Sequence, residues 1–63
     1  MAEHTAREVV KKLKSLGYVE IHVTGDHHKF KDQNNKTVVV PYSHLGDSIV
    51  IGTYKSIMKY VGL

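Results

Sequence analysis

Apolar side chains change their spacing twice along this chain, and those changes restrict what it can fold into. Ala6, Val9, Val10, Leu13 and Leu16 recur at helical spacing along one stripe. Val19, Ile21 and Val23 then alternate with Glu20, His22 and Thr24, the period-two pattern of a half-buried strand. Tyr54, Ile57, Met58 and Val61 return to i, i+3, i+4 and i+7. A chain that reads helix, strands, helix must bury two helical stripes and one face of a sheet together.

Punctuation residues sharpen this pattern. Thr5 with Glu8 predicts a capping box at the first helix, and Gly17 predicts its left-handed stop. Gly25-Asp26 marks a turn, after which a second strand spans His27 to Lys31. That strand places His28 and Phe30 on one face and His27, Lys29 and Lys31 on the other. Asp32 to Asn35 suit a hairpin turn, and a third strand from Lys36 to Val40 ends at Pro41. Tyr42 to Ile51 reads as a loop tucked onto the core by Ile49, Val50 and Ile51, with a short fourth strand as the weaker alternative. Thr53 is expected to cap the last helix and Gly62 to end it. The expected fold is α+β, in the order α-β-β-β-α. Two helices cover one face of a three-stranded antiparallel sheet, in a single domain over residues 1–63. The order is similar to that of double-stranded-RNA-binding domains.

Composition narrows the functional classes. No cysteine is present, so disulfides and cysteine-held zinc are excluded, and a reducing cytoplasm is the expected setting. No apolar run exceeds three residues, which excludes a membrane-spanning helix and the apolar centre of a signal peptide. Nine Lys and Arg against six Asp and Glu give a net charge of +3, which favours polyanionic partners such as nucleic acid. Of the five histidines, His27 and His28 are adjacent and diverge in a strand, and no H-x-x-x-H spacing occurs, so no metal site is expected.

The segment Gly25-Asp26-His27-His28-Lys29-Phe30 is similar to the G-S-x-H signature of the HicA toxin family. The stretch from Gly52 to Leu63 resembles that family's closing helix, G-T-L-R-S-I-L-K-Q-A-G-L. Val38 to Val40 before Pro41, with His44 shortly after, resembles its V-x-V-P followed by histidine. The resemblance implies a toxin that cleaves messenger RNA without a metal or cofactor. It further implies a HicB-type antitoxin as protein partner; no membrane association and a monomeric free state are also expected of the chain. It puts the catalytic role on His28 and matches Gly25 to the family glycine. Asp26 departs from the family serine, Tyr54 and Lys55 depart from leucine and arginine, and the segment from Pro41 to Gly52 is slightly longer than usual.

RNA carries its own nucleophile, the ribose 2′-hydroxyl, so a metal-free nuclease needs proton transfer and phosphate stabilisation. Imidazole suits the first task because an unperturbed value of about 6.5 keeps both forms accessible near neutrality. Gly25 would permit close backbone approach, and His27, Lys29 and Lys31 are the candidate RNA contacts. The plainer alternative for His28 is a half-buried ring satisfied by backbone, since it shares a face with Phe30. Arg7, Lys11 and Lys14 form a stripe that suits either an RNA backbone or water. Tyr18, Tyr42 and Tyr60 suit base stacking or ordinary packing. A non-catalytic RNA-binding module and a domain that meets an acidic protein are the competing functions.

Overall fold

The computed structural model describes residues 4–62. Its elements are β1 (His4–Thr5), α1 (Ala6–Ser15), β2 (Val19–Thr24), β3 (His27–Lys31), β4 (Thr37–Pro41), β5 (Ser48–Ile49) and α2 (Ile51–Tyr60). Strands β2, β3 and β4 form an antiparallel sheet in that order, and β1 pairs with β5 as a separate small ribbon. The α-β-β-β-α arrangement stands, with the ribbon added. Leu63, last residue of the closing-helix resemblance, lies outside the described residues.

Helix α1 starts where its backbone donors find acceptors. The Ala6 and Arg7 N–H groups donate to the Asp47 and Leu45 carbonyls at 2.8 Å, and the Glu8 N–H donates to Thr5 Oγ1 at 3.3 Å. These satisfy donors that a helix cannot satisfy internally. Only half of the expected capping box forms, because the Glu8 carboxylate bonds His4 Nδ1 at 2.7 Å instead. At the other end Gly17 adopts φ +93°. Its N–H reaches Lys14 O at 3.1 Å, while the Tyr18 N–H reaches Leu13 O at 3.0 Å, a Schellman stop. Leu16 falls in this cap and is exposed, not part of the buried stripe.

Both helices pack on the sheet face that carries Phe30, Val38 and Val40. These join Ala6, Val9, Val10 and Leu13 of α1 and Ile57 and Met58 of α2 in one buried cluster. Residues opposite one another in an antiparallel pair share a face. Lys29 opposite Val39 and Lys31 opposite Thr37 therefore occupy the outer face, away from the helices.

Strand β2 departs from its expected burial. Val19, Ile21 and Val23 are 61%, 48% and 46% exposed, so the half-buried alternation fails. A register shift between Glu20 and His22 accounts for part of this: Glu20 opposes Phe30, His22 opposes Lys29, and Ile21 is the extra residue, while Val23 lies on the helix-facing side opposite His28 and stays exposed on the edge strand. A bulge of this kind leaves two residues facing one and reverses the alternation on either side of it. Glu20 joins the helix-facing side at its margin, while Val19 turns outward.

Further expectations need correction around the last loop. Pro41 belongs to β4, opposite His27, at the end of an edge strand where a missing N–H is tolerated. Helix α2 begins at Ile51 with Val50 as N-cap, so Thr53 lies inside the first turn and is not the cap. Only Ile49 reaches the core, because pairing with His4 draws it in, while Val50 and Ile51 stay exposed. The weaker alternative of a short strand in this segment is the one realised.

Candidate active site

The β2–β3 hairpin turns through Gly25 and Asp26, with Gly25 at φ +60° and no positive φ at Asp26. Glycine first in a two-residue turn is the pattern of type II′, whose twist matches that of the flanking strands. A Cβ on Gly25 would meet nothing within 4 Å, so its backbone angle and not space is what glycine supplies. This turn brings His28 onto the helix-facing side, opposite Val40 and Val23.

The His28 ring is held on three sides. Its Nδ1 lies 3.1 Å from Glu20 Oε1, and its Nε2 lies 3.0 Å from the Tyr42 carbonyl oxygen. The Tyr42 ring stacks on it with centroids 3.6 Å apart and planes 8° apart. Tyr42 is itself tied to the hairpin, since its N–H donates to Asp26 O at 2.7 Å. Its hydroxyl donates to Glu20 Oε1 at 3.5 Å, so one carboxylate oxygen serves both the imidazole and the phenol. Burial, then the Glu20 charge and this hydrogen bond, raise the Tyr42 hydroxyl above its ordinary value and keep it a neutral donor. The His28 side chain retains 15% of its exposure and Glu20 retains 38%. The ring is thus reachable from solvent, on a surface where no enclosed pocket forms among the described residues.

The other residues expected at the site divide by face. His27 is exposed, opposite Pro41 on the outer side, with Nδ1 at 3.3 Å from Asp26 Oδ1. The carboxylate that departs from the family serine therefore sits on His27, and Glu20 is the carboxylate on His28. Lys29 is exposed and Lys31 partly so, and both lie on the face opposite His28. Gly25 and His27 are near the ring along the chain; the two lysines are not brought onto its side.

The remaining histidines serve elsewhere. His4 stacks on Tyr54 at 3.6 Å and bonds Glu8. His22 lies 2.7 Å from Thr24 Oγ1 through Nε2. The His44 N–H donates to Asp47 Oδ2 at 3.0 Å. Among the described residues no group of three His, Cys, Asp or Glu converges as a ligand set for a metal ion. Tyr18 is core, its hydroxyl raised by burial and then by Asp32 and Tyr60. Tyr60 is exposed, with Lys36 Nζ 5.1 Å above its ring.

Sequence reasoning missed Glu20 altogether, and missed Tyr42 in the part it plays. Period-two alternation sets Glu20 away from the core face, and no glycine or proline marks the bulge that turns it back. Tyr42 stood among several tyrosines without a signal that singled it out.

A model of the family described as HicA toxin of bacterial toxin–antitoxin systems matches residues 6–63 of the chain. No curated protein matches the sequence.

Proposed function

The chain belongs to the HicA toxin family and is a toxin of a toxin–antitoxin system, and from this premise we propose that it is an endoribonuclease that cuts messenger RNA through His28. One observation carries the proposal. An imidazole stands at the surface end of the hairpin that bears the family signature, its plane set by Tyr42 and one nitrogen by a carboxylate. An oriented, solvent-reachable imidazole is equipped to move a proton, and one such group typically contributes about 10²–10⁴-fold. An open surface also suits a polymer substrate better than a closed pocket does. RNA supplies the 2′-oxygen that attacks phosphorus, so no metal-bound water is required. The products are a 2′,3′-cyclic or 3′-phosphate and a 5′-hydroxyl.

RNA contacts follow from the faces. Gly25 and His27 meet the strand beside the reacting phosphate, and Lys29 and Lys31 hold phosphates of RNA that continues round the hairpin onto the outer face. A HicB-type antitoxin restrains the activity by covering the site. The chain works in the cytoplasm, where its substrate is; none of its described helices is long and apolar enough to cross a membrane.

A second reading has one observation on its side. Both His28 nitrogens are already bonded within the protein, as in a histidine that serves only structure, and the module would then bind RNA without cutting it. Purified protein and a folded His28→Ala variant, each incubated with RNA in excess EDTA, separate the two. Cleavage by the parent that drops about 10²–10⁴-fold in the variant supports the nuclease. Equal cleavage by both removes His28 from the chemistry. Salt-sensitive binding without turnover in either protein supports the binding module.

A further inference from the structure

Two acceptors face the two nitrogens of one ring. Glu20 Oε1 lies 3.1 Å from His28 Nδ1, and the Tyr42 carbonyl lies 3.0 Å from Nε2. A neutral imidazole has one N–H and one lone pair, so it can donate to only one of them. The ring that donates to both carries both protons. Building on the nuclease reading of His28, we propose that this ring enters the reaction as the proton donor to the leaving 5′-oxygen, and that Glu20 is the positioning residue that keeps a proton on Nδ1 and leaves Nε2 to donate.

The surroundings favour this division of labour. The bulge at Ile21 turns Glu20 toward the ring, where regular alternation would have turned it away. The Tyr42 stack fixes the ring plane, and the bond to Glu20 fixes its rotation within that plane. With Nδ1 held by Glu20, exchange of partners falls to Nε2, whose present partner is the neutral carbonyl of Tyr42. A phosphate ester brings negative charge, so Coulomb attraction to a cationic N–H favours it over a neutral carbonyl. RNA therefore displaces the Tyr42 carbonyl from Nε2. Glu20 from β2 and Tyr42 from the segment after β4 are titratable groups in contact with the ring.

The step balances without a co-reactant other than water. The bond from O2′ to phosphorus forms as the bond from phosphorus to O5′ breaks. The Nε2 proton passes to O5′, giving the 5′-hydroxyl, and the 2′-hydroxyl proton passes to bulk water. Bulk water reprotonates the ring before the next turnover.

A substrate whose 5′-bridging oxygen is sulfur tests the assignment, because a thiolate leaves without being protonated. His28→Ala is expected to lose about 10²–10⁴-fold on the oxygen substrate and less than about tenfold on the sulfur one. Glu20→Gln is expected to lose about 10–100-fold on oxygen, the scale seen when the carboxylate partner of a metal-bound histidine is removed. That loss falls in kcat with KM unchanged, disappears on sulfur, and is partly restored by Glu20→Asp. Equal losses on both substrates overturn the donor role. The Glu20 assignment is read separately, by ¹⁵N resonances of the His28 ring at fixed pH. Both ring nitrogens are expected to carry protons in the parent, and one of them to be without its proton in Glu20→Gln at the same pH; unchanged ring signals overturn the positioning role. A folded parent that cuts neither substrate removes the nuclease reading and the donor role with it, while the ¹⁵N spectra still decide whether Glu20 holds the ring.

Discussion

A backbone angle at Gly25 decides where His28 stands. At φ +60° the turn closes in two residues and delivers the next strand in register. An L side chain at that backbone angle costs about 1–3 kcal/mol, and free space around the position limits the penalty to that strain. Gly25→Ala is expected to destabilise by about this amount in urea unfolding, with Gly25→Asn costing less because such turns accept asparagine as well as glycine. Asp47 offers a pH test at the same scale. N–H donors from His44 and then Ser43 hold its carboxyl below the ordinary range, against a smaller opposing effect of burial. A carboxyl that is lowered on folding stabilises the protein above its unfolded value, and that stability is lost as pH falls through the folded value. The stability gap between the parent and Asp47→Asn should thus be full at neutral pH and should shrink below about pH 4, as thermal melts across that range would record.

At the scale of elements, helix starts illustrate how local signals and tertiary contacts compete. Thr5 and Thr53 carry the same sequence mark, a hydroxyl residue ahead of an apolar helical stripe. Only Thr5 caps a helix, because loop carbonyls at Leu45 and Asp47 meet the adjoining donors and hold the start of α1 in place. Before α2, Ile49 is drawn into the ribbon with β1, and the chain enters the helix directly at Ile51. Thr5→Ala is expected to cost about 1 kcal/mol, and Thr53→Ala to stay within about 0.5 kcal/mol. Chemical denaturation of both variants checks the contrast, and equal losses would contradict the assigned caps. The Schellman stop at Gly17 lies at the other extreme. Its leucine, glycine and following aromatic are all local, so the sequence sufficed to place it.

Across the whole molecule, the two faces of the sheet differ in what they contribute. Phe30 is fully buried between the sheet and both helices, and Phe30→Ala is expected to cost about 3–5 kcal/mol. Ile21 is an apolar residue in a strand of the same sheet, yet it is half exposed at the bulge. Ile21→Thr should change stability by less than about 0.5 kcal/mol, although hydropathy alone ranks the two positions together. Unfolding midpoints of the two variants measure this directly.

The main outline was legible because it rests on short-range regularities: the period of Val9, Val10 and Leu13, the glycine stops at Gly17 and Gly62, and the turn at Gly25-Asp26. These depend on a residue and its near neighbours, and the sequence states them outright. The resemblance around His28 likewise needed only a contiguous motif. The partners of His28 were not legible in this way. Glu20 reaches the ring through a one-residue bulge, and Tyr42 reaches it by crossing from the far end of β4; both contacts exist only once three strands have chosen their register. The sequence thus determined the elements and their order, since hydrophobic period and backbone sterics act locally. Only the tertiary structure decided where a strand's alternation breaks, as at Ile21, and which residues then meet across strands, because register is a property of pairing between segments and not of any segment alone.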